Sequence, residues 1–386
     1  MTKQPFKFQR PELAASYCEA LAGSGILDAR SGLFLAAPRR TGKSTFLRED
    51  LLPELAKLNW TTVYVDLWTN KAIDPAILIA NAVKNTLAKF ANVITKLAKS
   101  TGLEKVDVKV NVFGALSVNL SSLDLPENVT LADALEALVI ASKQPVVIVI
   151  DEAQHAISTQ AGMDAMFALK AARDNLNQGN SEQKLFLVFT GSNQDKLSRL
   201  VVKKDQPFFG CRITKFPLLD KRFSDKLTEH INSKLAANNQ FSKDDVFEAF
   251  KLAGHRPEML RNIIADIALD GGAGTLAKQL KTGAVAFRDR IWGAMESEFA
   301  ELPPIQRAVL EHILQQEGNF SPFSEASLKA YAKLSGEKVN VTDAQGALNA
   351  LRHKNLIWQA AYGDYSLEDE SMALWYKNRT LAKSTS

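Results

Sequence analysis

A glycine followed by a lysine and a serine carries the clearest chemistry in this sequence. The stretch from Leu33 to Thr45 reads LFLAAPRRTGKST, an apolar run followed by basic and small polar residues. This order is typical of a buried strand that ends in a phosphate-binding loop and opens a helix. Loop amides and the helix dipole favour a bound triphosphate. The predicted nucleotide-binding residues are Pro38, Arg39, Arg40, Thr41, Gly42, Lys43, Ser44 and Thr45.

Within this loop, each side chain has a separate predicted role. Lys43 would reach the β- and γ-phosphates, and the Ser44 hydroxyl would ligate magnesium. Gly42 lacks a Cβ, so the backbone can come close to phosphate. Ala37 departs from the pattern G-x-x-x-x-G-K-[ST], and a positive φ at that position would be disfavoured. The alternative is a chance GKS in a basic loop, but the flanking strand and helix patterns favour the phosphate site.

Two adjacent carboxylates follow the most apolar strand pattern in the chain. Val146 to Ile150 reads VVIVI and leads directly into Asp151 and Glu152. The carboxyl ends of parallel strands border the crevice where such sheets bind ligands. Asp151 would therefore hold magnesium, and Glu152 would polarise the attacking water as a general base. The alternative is that both residues merely begin a loop.

Polar residues also end the next predicted strand, Leu185 to Thr190. Ser192 and Asn193 follow it, and a hydroxyl or amide there can hold the attacking water or sense the γ-phosphate. Gly-Ser-Asn is also an ordinary turn sequence. Asn193 is nevertheless our candidate for this catalytic role.

Several arginines could stabilise the charge on a phosphate. Arg256 precedes Pro257 at a predicted helix start and could reach the nucleotide, with Arg261 one turn further as the alternative. A solvated Arg256 is an equally good interpretation. Arg199 and Arg212 could act across a subunit interface, although a structural role is more usual for either one.

Alternating strands and helices predict a parallel, doubly wound sheet in the first part of the chain. Pro53 is expected to break the helix that follows the phosphate loop. Residues 105–121 alternate with period two and predict an inserted β-hairpin, which would either grip a partner or cover a core edge. The predicted strands are 33–37, 61–67, 146–150, 185–190 and 212–218, and the predicted helices are 11–23, 74–99, 131–142 and 163–176.

Strand patterns stop after Ser224, and helical patterns replace them. The predicted helices are 222–237, 243–253, 257–269 and 276–299, then 304–316, 324–335 and 343–354 after Pro303 and Pro304. Two short strands, 356–360 and 365–367, follow the last three helices. Three helices followed by a small hairpin indicate a winged helix-turn-helix.

Taken in order, four segments resemble the motifs of AAA+ ATPases of the archaeal-ATPase/STAND branch. APRRTGKS, VVIVIDEAQH, VFTGSN and GHRPEMLRNI are similar to Walker A, Walker B, sensor 1 and a sensor 2-like region. The resemblance implies ATP and Mg²⁺ as cofactors, with metal at Ser44 and Asp151. It also implies hydrolysis through Glu152, assisted by Lys43, Asn193 and Arg256.

The resulting fold class is α/β: a P-loop NTPase of AAA+ type with a parallel sheet, a helical lid and a C-terminal winged helix-turn-helix domain. We expect the nucleotide-binding domain over residues 1–220, including the inserted hairpin. The lid would then cover 221–300 and the winged helix 301–386.

Charge and composition limit the choice of partner and compartment. No apolar run is long enough to span a membrane, and two cysteines without metal spacing suit a reducing, cytoplasmic setting. A predicted recognition helix in the winged helix favours DNA or a DNA-associated complex. Residues 301–386 carry nine Lys or Arg against ten Asp or Glu, a net charge of −1, which favours a protein partner instead. Both partners stay open, as does a homo-oligomer.

Overall fold

The computed structural model describes residues 6–100, 129–179, 184–237, 240–270, 275–316, 321–361 and 363–384. The predicted hairpin at 105–121 lies outside these residues. The chain divides into two compact units. We call Gln9–Ala36 with Lys43–Phe216 the sheet unit, and Met1–Phe8, Ala37–Gly42 and Pro217–Ser386 the helical unit.

A five-stranded parallel sheet forms the centre of the sheet unit, with strand order β2-β3-β4-β1-β5. The strands are β1 (Leu33–Ala36), β2 (Thr61–Asp66), β3 (Val146–Asp151), β4 (Leu185–Gly191) and β5 (Ile213–Lys215). Every residue of β3 and β4 is buried, as expected for strands covered on both faces. The five predicted strands are therefore all present.

Helices cover this sheet and supply the rest of its core. They are α1 (Pro11–Ala22), α2 (Lys43–Phe46), α3 (Leu52–Lys57), α4 (Pro75–Ala88), α5 (Ala91–Ser100), α6 (Leu131–Ser142), α7 (Gln160–Asn177) and α8 (Gln194–Ser198). A single helix over 74–99 was the wrong prediction. The amide of Lys89 bonds to the Thr86 carbonyl at 3.1 Å, a tight turn that ends α4 before α5 begins.

Pro53 does not break the helix that follows the phosphate loop, contrary to the prediction. A π-helical turn, Leu47–Leu51, joins α2 to α3, and the helix continues through Pro53. The Leu52 amide donates to the Leu47 carbonyl five residues earlier. Pro53 has no N–H to donate, and the wider turn before it accommodates the ring. The apolar face therefore continues as far as the buried Leu55.

The helical unit begins with four helices after Pro217: α9 (Lys221–Asn232), α10 (Lys243–Leu252), α11 (Pro257–Asp270) and α12 (Leu276–Ala300). They share a buried core that includes Phe223, Phe250 and Leu260. The Phe223 and Phe250 rings lie 5.1 Å apart. This core buries the apolar faces that the helical periodicity after Ser224 predicts.

A second core follows in a winged helix-turn-helix. Its elements are α13 (Pro304–Gln315), α14 (Glu325–Ser335), α15 (Val341–His353), β6 (Ile357–Ala361), β7 (Asp364–Leu367) and α16 (Ser371–Ser384). β6 and β7 pair antiparallel. The sequence did not predict α16, whose Trp375 and Tyr376 are buried against Phe299 at the end of α12.

The predicted boundary at 220/221 lies close to the change of unit after Phe216. The division into three domains at 1–220, 221–300 and 301–386 stays a prediction. Within the part of the chain that the structure describes, no helix combines the length and apolar character needed to cross a bilayer.

Candidate nucleotide site

The predicted site residues of the sheet unit follow strands that end at one edge of the sheet. β1, β3 and β4 are parallel, and in register Leu35 lies beside Thr190 and Ile150 beside Phe189. The residues that follow these strands therefore emerge side by side. The phosphate loop follows β1, Asp151 and Glu152 lie at the end of β3, and Ser192 follows β4.

The backbone of the phosphate loop explains the tolerance for Ala37. Positive φ values occur at Arg40 (65°) and Gly42 (91°), and Ala37 is not among the described residues with positive φ. Alanine therefore fits position 37 without strain, whereas a side chain at Gly42 would be strained by its φ. Thr41 stabilises the loop because its hydroxyl donates to the Pro38 carbonyl at 2.8 Å.

The side chains of the loop differ in exposure. Lys43 is only 5% exposed, Ser44 is half-buried and Thr45 is exposed. Arg39 and Arg40 are exposed, and the Arg40 Nε atom lies 3.6 Å from Glu258 Oε2 within the helical unit. An exposed ion pair at this distance contributes little to folding stability. Lys43 is therefore the one predicted phosphate ligand with a charged side chain already withdrawn from solvent.

Glu152 lies against Lys43. The Lys43 Nζ atom is 3.5 Å from Glu152 Oε1, and the Ser192 hydroxyl donates to Glu152 Oε2 at 2.6 Å. The Gln154 side-chain amide donates to the same Oε2. Burial raises the pKa of Glu152, but the Lys43 charge and the hydrogen bonds from Ser192, Gln154 and Lys43 outweigh it and lower the pKa overall. Glu152 is therefore an ionised carboxylate near neutral pH, as a general base must be.

Asp151 is fully buried beside Glu152 and is held by hydrogen bonds. Its Oδ1 accepts from the Thr190 hydroxyl and from the Glu152 amide, and its Oδ2 accepts from the Tyr64 hydroxyl at 3.3 Å. Burial and the charge of Asp151 raise the pKa of Tyr64, so Tyr64 stays a neutral donor. The Asp151 carboxylate is thus fixed in orientation.

The oxygen donors at this edge suit a magnesium ion that is shared with phosphate. Ser44 and Asp151 offer a hydroxyl and a carboxylate, the hard ligands that Mg²⁺ prefers. Among the described residues no group of three or more His, Cys, Asp or Glu is arranged to hold a metal ion by itself. A magnesium ion here would therefore complete its coordination with water and phosphate oxygens, as is usual for nucleotide sites.

Ser192, not Asn193, is the residue after β4 that touches Glu152. The Asn193 side chain accepts from the Lys196 amide at 2.7 Å and so caps α8. The catalytic role of Asn193 stays a prediction.

Three of the predicted arginines have described contacts with other side chains. Arg256 belongs to the helical unit, where its Nη2 atom lies 3.4 Å from Asp369 Oδ2. Arg261 lies over the Phe6 ring at 5.6 Å, and Arg199 pairs with Asp195 at 2.9 Å. Arg212 is exposed. Contact between Arg256 and a nucleotide stays a prediction.

Sequence reasoning missed residues that orient the two carboxylates. Gln154 and Thr190 bond to Glu152 and Asp151, and Tyr64 reaches Asp151 from β2. Asp66 lies beside Asp151 in the β2–β3 register, where burial and the charges of Asp151 and Glu152 raise its pKa. The sequence signal for Asp66 was its position at the end of a predicted strand, because the carboxyl ends of parallel strands lie at the same edge of the sheet.

Comparison with known proteins finds a family similar to the first part of the chain. Residues 27–200 match the family described as AAA domain. This match spans the phosphate loop, the two carboxylates and Ser192, and it confirms the resemblance to AAA+ ATPases. Among curated proteins, no relative is found.

Solved structures similar to the whole chain agree with the AAA domain. A Walker-type ATPase of Pyrococcus abyssi has 17% identity and a TM-score of 0.53, with 96% of each chain covered. The ORC2 protein of Aeropyrum pernix in its ADP form has 13% identity and a TM-score of 0.54, covering 100% of this chain and 97% of that chain. At such low identity these similarities establish the fold alone, which is the AAA+ P-loop fold that the sequence predicts.

Proposed function

We propose that this protein binds ATP with Mg²⁺ and hydrolyses it. One observation carries the proposal: the buried Lys43 ammonium lies 3.5 Å from the Glu152 carboxylate, beside the buried Asp151. A cation for phosphate and a base for water are thus neighbours at the edge where the phosphate loop begins. A structural ion pair alone would not need the preceding loop and its positive-φ glycine.

In the proposed reaction, Lys43 binds the β- and γ-phosphates, and loop amides share their charge. A magnesium ion held by Ser44 and Asp151 would neutralise charge that develops on the phosphates. Glu152 accepts a proton from water as the water oxygen bonds to the γ-phosphorus. The bond from that phosphorus to the bridging oxygen breaks, which leaves ADP and phosphate.

Phosphate release by the full chain tests this proposal. We expect turnover of ATP in the presence of Mg²⁺ and its loss when a chelator removes the metal, because the phosphate charge is then unshielded. The same measurement with GTP in place of ATP shows which nucleobase the site prefers. Absence of phosphate release with either nucleotide, over a range of protein concentrations, would contradict the proposal.

We further propose that nucleotide turnover changes the conformation or assembly of the chain and that the winged helix carries the output. DNA or a DNA-associated complex is the first candidate partner. Arg352 and Lys354 at the end of α15 are chemically suited to phosphate. Other polar groups of α15 already have hydrogen-bond partners: the N-cap residue Asn340 forms a capping box with Asp343, and Gln345 donates to Asn349 at 3.2 Å. Contacts between these groups and DNA would compete with those bonds.

The charge of the winged helix favours the second candidate, a protein partner without DNA. A net charge of −1 over residues 301–386 gives no basic surplus to drive phosphate contacts. Retention of duplex DNA by the full chain that weakens steeply with salt would support the first candidate. Absence of retention at low salt, with and without ATP, would support the second.

Self-association is the remaining part of the proposal. Arg212 is exposed and could reach the nucleotide of a second copy. If so, phosphate release per chain should rise with protein concentration, and Arg212→Ala should abolish that rise while ATP binding persists. A specific rate independent of concentration would exclude this role.

A further inference from the structure

We infer that Gln154 is a positioning residue for Glu152: it holds one carboxylate oxygen and leaves the other for the attacking water. This inference rests on the proposed hydrolysis. Gln154 lies in the 3₁₀ helix Ala153–Ser158, directly after the carboxylate pair. Its role is distinct from that of Asn193, which caps a helix.

The two oxygens of Glu152 have different surroundings. Oε2 accepts hydrogen bonds from the Gln154 amide and from the Ser192 hydroxyl. Gln154 Nε2 also lies 3.3 Å from the Ser192 oxygen, so the three side chains form a closed triangle. Oε1 instead faces the Lys43 ammonium at 3.5 Å. Once Lys43 binds phosphate, Oε1 is the oxygen available to a water molecule.

The orientation of the Gln154 amide follows from this triangle. Exchanging its oxygen and nitrogen would place a carbonyl oxygen against the Glu152 carboxylate, where both are acceptors. In the arrangement observed, Gln154 Oε1 is buried and accepts no hydrogen bond from any described residue. Gln154 is only 3% exposed. An amide left half-satisfied inside the protein is unfavourable for folding, which argues that its donor contact serves the site.

Gly191 at the end of β4 provides the space that Gln154 occupies. A Cβ added at Gly191 would lie 2.8 Å from Gln154 Oε1 and 3.2 Å from the Leu197 side chain. A side chain at Gly191 would therefore require Gln154 or a neighbouring group to shift. β4 therefore places Ser192 beside the Glu152 carboxylate. Through Gly191 it also leaves room for the Gln154 amide, which bonds to the same carboxylate oxygen.

Separate measurements of ATP turnover and ATP binding in the full chain test this inference. We expect Gln154→Ala to lower kcat for ATP by about tenfold to a hundredfold, as for loss of one hydrogen bond to a charged group. The Kd for a fluorescent ATP analogue should stay within about twofold of the unmodified protein, because the described hydrogen bonds of Gln154 go to Glu152 and Ser192, which are not predicted phosphate ligands. Gln154→Glu keeps the side-chain volume but places a second carboxylate against Glu152. Its kcat should therefore fall at least as far as that of Gln154→Ala.

Ser192 gives a second test with less risk to folding. Ser192→Ala should lower kcat without weakening nucleotide binding, and Ser192→Thr, which keeps the hydroxyl, should restore most of the loss. Gln160→Ala is the matched control, because the exposed Gln160 side chain donates to the exposed Asp164 carboxylate at 2.8 Å. It should leave kcat unchanged.

The outcomes separate the inference from the proposed function. Wild-type turnover that disappears in Glu152→Gln but persists fully in both Gln154→Ala and Ser192→Ala would overturn the inference alone. Absence of turnover in the unmodified chain would overturn the proposed hydrolysis. A rise in the analogue Kd that matches the fall in kcat/KM would assign Gln154 to nucleotide binding and so also overturn the positioning role.

Discussion

The Lys43 ammonium and the Glu152 carboxylate lie 3.5 Å apart, although 109 positions separate them in the chain. Lys43 belongs to the first turn after the phosphate loop, and Glu152 follows strand β3. Each is the best available counter-charge for the other in the absence of a triphosphate. A bound γ-phosphate would compete for Lys43 and release Glu152 Oε1, so binding and activation of the base would be linked.

Replacing Lys43 by alanine should remove nucleotide binding. The change deletes a buried ammonium that would contact two phosphates, so we expect the Kd for ATP to rise by about a hundredfold or more. Titration with a fluorescent ATP analogue measures this. Lys57→Ala is the control, because the Lys57 side chain is exposed on α3 and pairs with Glu54 at 2.7 Å. Unchanged affinity in Lys43→Ala would refute the assignment of the phosphate loop.

Replacing Glu152 by glutamine should separate binding from turnover. The amide cannot accept the proton of water, so we expect phosphate release to fall by about a hundredfold to ten-thousandfold. ATP affinity should be retained, since Lys43 and the loop amides are unchanged. Glu248→Gln, on the exposed side of α10, serves as the control. Full residual turnover in Glu152→Gln would remove Glu152 from its role.

The pair of Arg256 and Asp369 allows a test of the predicted arginine. If Arg256 acts on nucleotide, Arg256→Ala should lower turnover by about tenfold or more, whereas Asp369→Asn should leave it unchanged or raise it. A purely structural ion pair predicts equal effects from both substitutions. Phosphate release and thermal unfolding, measured on both variants, distinguish these outcomes, because loss of a partly exposed pair costs only about 0–1 kcal/mol of stability.

The winged helix should lose stability in mild acid. Burial lowers the pKa of His312, which packs edge-on against Tyr331 at 5.4 Å. The unfolded chain then binds a proton more readily than the folded one, so stability is full above the unfolded pKa and falls as pH drops towards the folded pKa. We expect the unfolding temperature to decrease from pH 7.5 to 5.5, and His312→Phe to reduce that decrease. An identical pH dependence in both proteins would exclude His312 as its source.

The sequence was sufficient to predict the parallel sheet and the strand ends where the candidate side chains lie. Val146–Ile150 is apolar throughout because both faces of β3 are buried, and the loop before Lys43 has a spacing that is typical of a phosphate site. These signals are local. Lys43, Asp151 and Glu152 lie after or at the end of predicted strands that the structure contains, and their roles toward a nucleotide stay predictions.

Features that depend on contacts between distant segments were not predictable. The contact between Ser192 and Glu152 depends on where the residues after β4 lie, and Gln154 contacts Glu152 because Gly191 leaves room for it. Pro53 looked like a helix end, since the π-turn that accommodates it has no sequence signal of its own. Helix α16 forms because Trp375 and Tyr376 find a core built by other helices.

The backbone at Glu152 has a left-handed conformation, with φ 55° and ψ 41°. For a residue that is not glycine, such a conformation costs on the order of 1 kcal/mol. Thermostability selection applied without any requirement for activity would therefore favour glycine or asparagine at position 152. Variants stabilised in that way would keep the fold but lose the proposed general base. Any effort to stabilise this protein should therefore keep glutamate at position 152.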